Sequence, residues 1–525
     1  MPSRIAEHTE SVYTSTLLQT YSVLPDPFPP PGTAKIQPAP QNTTHSNQGH
    51  AEELARFVFA QWFHARLRHV MEFVSISPLT GKLIRRYEPH GAEEVTRRLQ
   101  KAQAAFSTWA VLGFPERAAL LRRLASLLRE RAHDYAELFA EEMGKLIPQG
   151  IAEVEKCAWV CDYYADTAER FLAAEEVPTE FSRSYIAYQP LGCVLAIMPW
   201  NFPFWQVFRF AAAALMAGNV VLLKHAPNVT ATALALEGLF REVGFPEGVF
   251  QVVLVPVERI PELIQHPTIA AVTFTGSTHA GRAVAAHAGA ALKKTVLELG
   301  GSDPYIILED ADLEPTVETC VAARLINNGQ SCIAAKRFIV VEKLRAAFEE
   351  AFVEAMRRQV MGAPSDRSAT LGPLAREDLR QKLHEQVQES LRRGARLLLG
   401  GEIPPLRGWF YPPTVLTDVQ PGMPVFDEET FGPVAAIIPA RTEQEAIALA
   451  NASIYGLGAA VFTRDRQRGE RIAREQLQAG SCFVNAYVRS DPRLPFGGIK
   501  QSGWGRELSV FGIREFVNIK TVCVA

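Results

Sequence analysis

The chain has 525 residues, 47% of them hydrophobic and 21% charged, with a formal net charge of −3. That length supports two or three structural units around a large core. The near-neutral balance excludes a general nucleic-acid or acidic-membrane partner, which would require a basic surface.

Residues 1–50 are rich in Pro, Ser, Thr, Gln and His, with the run Phe28-Pro29-Pro30-Pro31, and lack the apolar density that offsets ordering entropy. Glu7, Glu10 and Asp26 argue against a transit peptide, and no apolar signal core is present. Residues 51–70 carry an amphipathic pattern, but core-like patterning begins only after Met71. Residues 1–70 are therefore read as a disordered or non-native extension. From Ala92 to Leu172 the spacing is helical, as in Leu120, Leu121, Leu124, Leu127 and Leu128. Cys157 and Cys161 lie one helical turn apart with no His or Cys pair nearby, so they read as core and no metal site is expected. Seven cysteines in so long a chain are not a disulfide framework and fit a reducing, cytoplasmic compartment. Thr179 to Leu191 alternates and reads as extended, an excursion from the domain.

The longest apolar stretch runs from Leu191 to Leu223, with Arg209 as its only charge. Pro199, Asn201, Pro203 and Asn219 break it, so a buried strand, a turn, a helix and a second strand explain it better than a membrane span. From Cys193 to Gly301, strands and helices alternate: 194–198, 204–217, 220–223, 230–243, 249–254, 270–274, 280–291 and 295–299. That rhythm means a parallel α/β sheet, whose ligands bind beyond the carboxyl ends of its strands. Pro199-Trp200-Asn201, Lys224-His225 and Thr275-Gly276-Ser277 all fall there. A second α/β set follows from Tyr305 to about Pro495, and 510–525 is again strand-like.

Two residues carry the clearest chemistry. Glu298 closes a strand-like run before Gly300-Gly301, where a carboxylate can move a proton to or from water. Cys332 ends Asn327-Asn328-Gly329-Gln330-Ser331-Cys332, small and polar residues that interrupt two helical patterns, a place where a thiol can present its sulfur and its own N–H. Phe274-Thr275-Gly276-Ser277-Thr278-His279-Ala280-Gly281 opens a helix after a strand and could hold a pyrophosphate. Arg282 stands where a P-loop requires Lys, and no G-x-G-x-x-G is present. On spacing alone, dinucleotide binding and a structural turn stay equally open.

LELGGSDP followed by NNGQSC, together with PWNFPFWQ, FTGSTHAG, EETFGP and PFGGIKQSGWGREL in order, resembles the aldehyde dehydrogenase superfamily from about Ser75 to Val524. LLKHAPN, AAKRF and GIREFVNIKTV bring it nearest to the bacterial succinate-semialdehyde dehydrogenases. The resemblance implies an aldehyde dehydrogenase-like α/β fold: a dinucleotide-binding domain of 71–178 and 192–299, a catalytic domain of 300–509, and strands at 179–191 and 510–525 joining a homodimer or homotetramer. It also implies that Cys332 attacks the aldehyde, that Asn201 and the Cys332 N–H hold the oxyanion, and that Glu298 activates the hydrolytic water.

NAD or NADP is the implied cofactor. Gly276 and Ser277 would lie at its phosphates, Lys224 and Glu429 at its riboses, and Phe431 at its nicotinamide, with Trp200 and Leu299 in the same cleft. Pro227 stands where many NAD-preferring relatives have a glutamate that repels a 2′-phosphate, and His225 is an extra polar candidate. For a carboxylated substrate the resemblance points to Arg209, Arg489 and Ser490, although Ile326 replaces an arginine that some relatives carry, and Ala334 a second cysteine. The expected reaction is NAD(P)-dependent oxidation of succinate semialdehyde to succinate. Glutarate semialdehyde or a small aliphatic aldehyde is the alternative substrate. An inactive structural homologue is disfavoured because Cys332, Glu298 and Asn201 are all present.

Overall fold

In the computed structural model residues 73–525 are described, and the expectation for residues 1–70 falls outside them. A six-stranded sheet runs in the order Gly503–Trp504, Lys294–Glu298, Ile269–Thr275, Cys193–Met198, Val220–His225, Phe250–Val252. All its pairings are parallel except that of Gly503–Trp504 with Lys294–Glu298. Every residue of Cys193–Met198 and Val220–His225 is buried, because helices cover both faces, and this is why 193–198 and 220–223 are continuously apolar instead of alternating. The helix Trp205–Met216 is buried along its whole length, Arg209 included.

A seven-stranded sheet runs in the order Arg396–Leu399, Thr414–Thr417, Val434–Ala440, Ala335–Val341, Asp303–Ile307, Gly458–Phe462, Ser481–Val484, parallel except at its first pair. Two expectations need correction here. Cys332 is followed by the strand Ala335–Val341, not by a helix; its β-branched and aromatic residues Phe338, Ile339, Val340 and Val341 suit a buried sheet. The segment 300–509 also does not stay with its own sheet, since Gly503–Trp504 returns to pair with Lys294–Glu298.

A three-stranded antiparallel sheet joins Val517–Val524, Arg183–Pro190 and Glu175–Glu176. The extended run starts at Arg183 rather than Thr179, and the helix Ser509–Arg514 reaches into the tail before its strand. Among the described residues no helix is long and apolar enough to cross a membrane, and no group of three or more His, Cys, Asp or Glu could hold a metal ion.

Candidate active site

Cys332 lies on the loop between the helix Leu313–Leu325 and the strand Ala335–Val341. The approach is strained: Asn327 and Asn328 take φ of 53° and 58°, which asparagine tolerates better than bulkier residues. Gly329 follows at φ 76°, and a Cβ there would sit 2.3 Å from the Gly432 carbonyl, so only glycine fits. Lys336 Nζ donates to the Ser331 and Cys332 carbonyls at 2.8 and 2.5 Å. The Cys332 backbone N–H makes no hydrogen bond with a described residue. Burial pushes the Cys332 thiol up to about 12, against the opposing pull of Arg209 and Lys336. A protonated resting thiol of this kind must lose its proton before it can attack.

Asn201 is fixed from several directions. Its side-chain amide donates to the Gln330 carbonyl at 3.0 Å, which leaves its second N–H free. Its backbone carbonyl accepts from Asn327 Nδ2 at 2.6 Å and Lys145 Nζ at 2.9 Å. Lys145 is in turn ion-paired with buried Glu153. Glu153 caps the following helix by accepting from the Phe204 and Trp205 N–H groups at 2.9 and 3.0 Å.

Glu298 ends its strand with 2% of its surface exposed, and neither carboxylate oxygen has a hydrogen-bond partner among the described residues. Burial lifts it well above the usual carboxylate range, while the Arg209 guanidinium opposes the shift. Gly497 passes so near that a Cβ would stand 2.8 Å from Glu298 Oε1.

A cavity of ≈ 440 Å³ brings together Trp200, Asn201, Gly276, Ser277, Glu298, Leu299, Cys332, Glu429 and Phe431. Glu429 accepts from the Gly301 N–H at 3.1 Å, and the Trp200 and Phe431 rings meet edge to face at 5.8 Å. Ser277 caps the helix Thr278–Ala290, whose N-terminal residues Thr278 and His279 also line the cavity. This is a 13-residue helix with its positive end on a cleft, and the donor set suits a pyrophosphate. A Cβ on Gly276 would stand 2.6 Å from the Phe274 ring, so any larger residue there must push that ring aside. Lys224 lies at its strand end outside this lining, with burial lowering it to about 8. His225 is not a free polar partner. Its Nε2 faces the Pro203 carbonyl at 2.8 Å, its Nδ1 accepts from the Ala226 N–H at 2.8 Å, and burial lowers it to about 4.

A second cavity, of ≈ 520 Å³, reaches Cys332 from another side and contains Arg209, Arg489 and Ser490. Arg209 is not free within it. Its guanidinium is ion-paired with Glu507, donates to Thr275 Oγ1 at 3.3 Å and lies 4.5 Å from the Phe496 ring centre. Arg489 is exposed and reaches over the Tyr487 ring at 6.0 Å. The sequence reading missed Lys145, Glu153, Lys156, Lys336 and Glu507. The EVEK run holding Glu153 and Lys156 looks like an ordinary charged helix face, and the Arg209–Glu507 pair joins residues 298 positions apart.

Residues 66–522 match the aldehyde dehydrogenase family, a match that begins slightly upstream of Met71. Among similar curated proteins, a "Probable succinate-semialdehyde dehydrogenase (NADP(+))" of Synechocystis sp. is 49% identical over 455 residues, 87% of this chain and 100% of that protein. "Succinate semialdehyde dehydrogenase (NAD(P)+) Sad" of Escherichia coli is 49% identical over 449 residues, 86% of this chain and 97% of that protein. A succinic semialdehyde dehydrogenase from Streptococcus pyogenes, solved in complex with NADP+, superposes with a TM-score of 0.84 at 35% identity, covering 86% of this chain and 99% of that one.

Proposed function

The chain belongs to the aldehyde dehydrogenase family, and on that premise we propose that it oxidises succinate semialdehyde to succinate with NAD or NADP. The observation that carries the reading is the position of Cys332, where one cavity ringed by dinucleotide-type contacts meets another containing several cationic side chains. When bound, the dinucleotide would rest on the Ser277 helix end, Glu429, Trp200, Leu299 and Phe431, and would supply the acceptor that makes oxidation of the aldehyde possible. Pro227 presents no carboxylate against a 2′-phosphate, and the names of the relatives include NADP(+) and NAD(P)+, which supports use of either cofactor.

In this reading Cys332 releases its proton to solvent in the open cleft, its sulfur attacks the aldehyde carbon, and the free Asn201 N–H and the Cys332 N–H hold the oxyanion. Each such donor lowers the barrier by roughly 3 kcal/mol. Glu298, a stronger base than an exposed carboxylate, takes the proton from the water that hydrolyses the Cys332 thioester. We also propose assembly as a homodimer or homotetramer through the three-stranded sheet, supported by the 61% exposed Ile519 and 48% exposed Val524 on its outer strand. The seven cysteines are all free thiols, which supports a cytoplasmic location. The test is a steady-state panel of ω-carboxylated and simple aldehydes with NAD+ and NADP+. Succinate semialdehyde should give the highest kcat/KM; a neutral or longer aldehyde in first place overturns the substrate assignment.

A further inference from the structure

The second cavity holds charges that do not cancel. Lys145 is paired with Glu153, and Arg209 with Glu507. Asp491, whose charge also acts on Lys156, is held by Arg493 at 2.7 Å. Lys156 has no such partner: among the described residues no carboxylate lies within ion-pairing distance of it. Instead its Nζ donates to the Ser490 hydroxyl at 2.8 Å and lies 4.4 Å from the Trp205 ring centre. Ser490 is 7% exposed and lines the same cavity, and its hydroxyl, accepting from Lys156, still has a proton to donate. Lys156 is half-buried, and an ammonium partly withdrawn from water against an aromatic ring without a counter-ion gains when an anion arrives.

We infer that Lys156, with the Ser490 hydroxyl beside it, is the half-site that receives the distal carboxylate of an ω-carboxylated aldehyde, while the Arg209 charge is committed to Glu507. The inference deepens the succinate-semialdehyde reading and rests on it. Lys156 sits within the 25-residue helix Ile147–Phe171, one turn after Glu153, so a rigid element carries both the oxyanion-loop brace and the substrate cation. Ser490 accepts from Lys156 and keeps its own O–H to donate to the arriving carboxylate. Specificity follows from the difference between substrates. A neutral aldehyde leaves the ammonium uncompensated, and a carboxylate relieves it.

Lys156 is also titratable within the working range. Burial and the Arg209 charge lower it to about 8, with Arg489 acting the same way and Cys157 and Asp491 opposing. The preference for a carboxylated aldehyde should therefore fade as pH rises through about 8, whereas an arginine site would show no such limb.

The experiment compares kcat/KM for succinate semialdehyde and for butanal, a neutral aldehyde of equal length, in the full chain. Lys156→Met should lower the first by roughly 30- to 1000-fold, mostly through KM, and the second by only a few-fold. Lys156→Arg should recover part of the loss. In the unmodified protein the ratio of the two values should fall above pH 8, a readout that does not depend on any variant folding. An unchanged ratio in Lys156→Met, an equal loss on both aldehydes, or a ratio flat with pH overturns the inference. If the unmodified protein shows no preference for the carboxylated aldehyde, the succinate-semialdehyde reading fails as well. If that preference exists but survives Lys156→Met, the inference fails alone.

Discussion

Arg209 and Glu507 form an ion pair with side chains only 3% and 1% exposed, at the edge of the cavity that reaches Cys332. Burial works against the Arg209 charge, and the Glu507 and Glu298 carboxylates more than offset it. Removing the guanidinium strands a carboxylate in the interior, a change that costs roughly 3–5 kcal/mol. Arg209→Ala should accordingly lower the melting temperature and reduce turnover of charged and neutral aldehydes alike. A selective loss on the carboxylated aldehyde, with the melting temperature unchanged, would return Arg209 to the substrate site.

Cys332→Ala should abolish aldehyde oxidation and leave dinucleotide binding nearly intact, because the sulfur lies where the two cavities meet while the dinucleotide-type contacts are on other elements. Calorimetric titration with NADP+ checks the binding. Comparable turnover in the variant would remove Cys332 as nucleophile.

Glu298→Gln keeps the buried shape but loses the base. Rapid mixing should show a burst of reduced cofactor of about one per site, followed by very slow turnover. Loss of the burst together with turnover would mean that Glu298 is already needed to deprotonate the raised Cys332 thiol.

His225 gives a stability prediction with a definite sign. Its folded value is lowered to about 4, below the ordinary 6.5, so the unfolded chain binds the extra proton first. Stability from this group is intact above about pH 6.5 and is lost as pH falls towards 4, by about 3 kcal/mol in total. Denaturant titrations across that window should be steeper in pH for the unmodified protein than for His225→Gln. Equal slopes would show that the imidazole is not held neutral.

Much of the first sheet was legible because its strands are buried on both faces and announce themselves as apolar runs. The helix Thr230–Val243 coincides with its expected range, and Cys193–Met198 and Val220–His225 differ from theirs by no more than two residues. The two-residue strand Gly503–Trp504 was invisible, being too short to carry a period and defined only by a partner some 200 positions earlier. The turn before Cys332 was readable from Asn and Gly, the residues that tolerate positive φ, whereas the strand after it was masked by the alanines Ala334 and Ala335. Of the site, the motif-borne residues could be named from their order. Lys156 and Glu507 could not, since a single charge in a helical or polar run is indistinguishable from a solvated one until its burial is known.

The most direct measurement is the intact mass of Glu298→Gln after mixing with succinate semialdehyde and NADP+, followed by peptide mapping. One succinyl thioester per chain is expected, located on Cys332 and absent when the dinucleotide is omitted. An unmodified chain, or an adduct on another thiol such as Cys482 or Cys523, would contradict it.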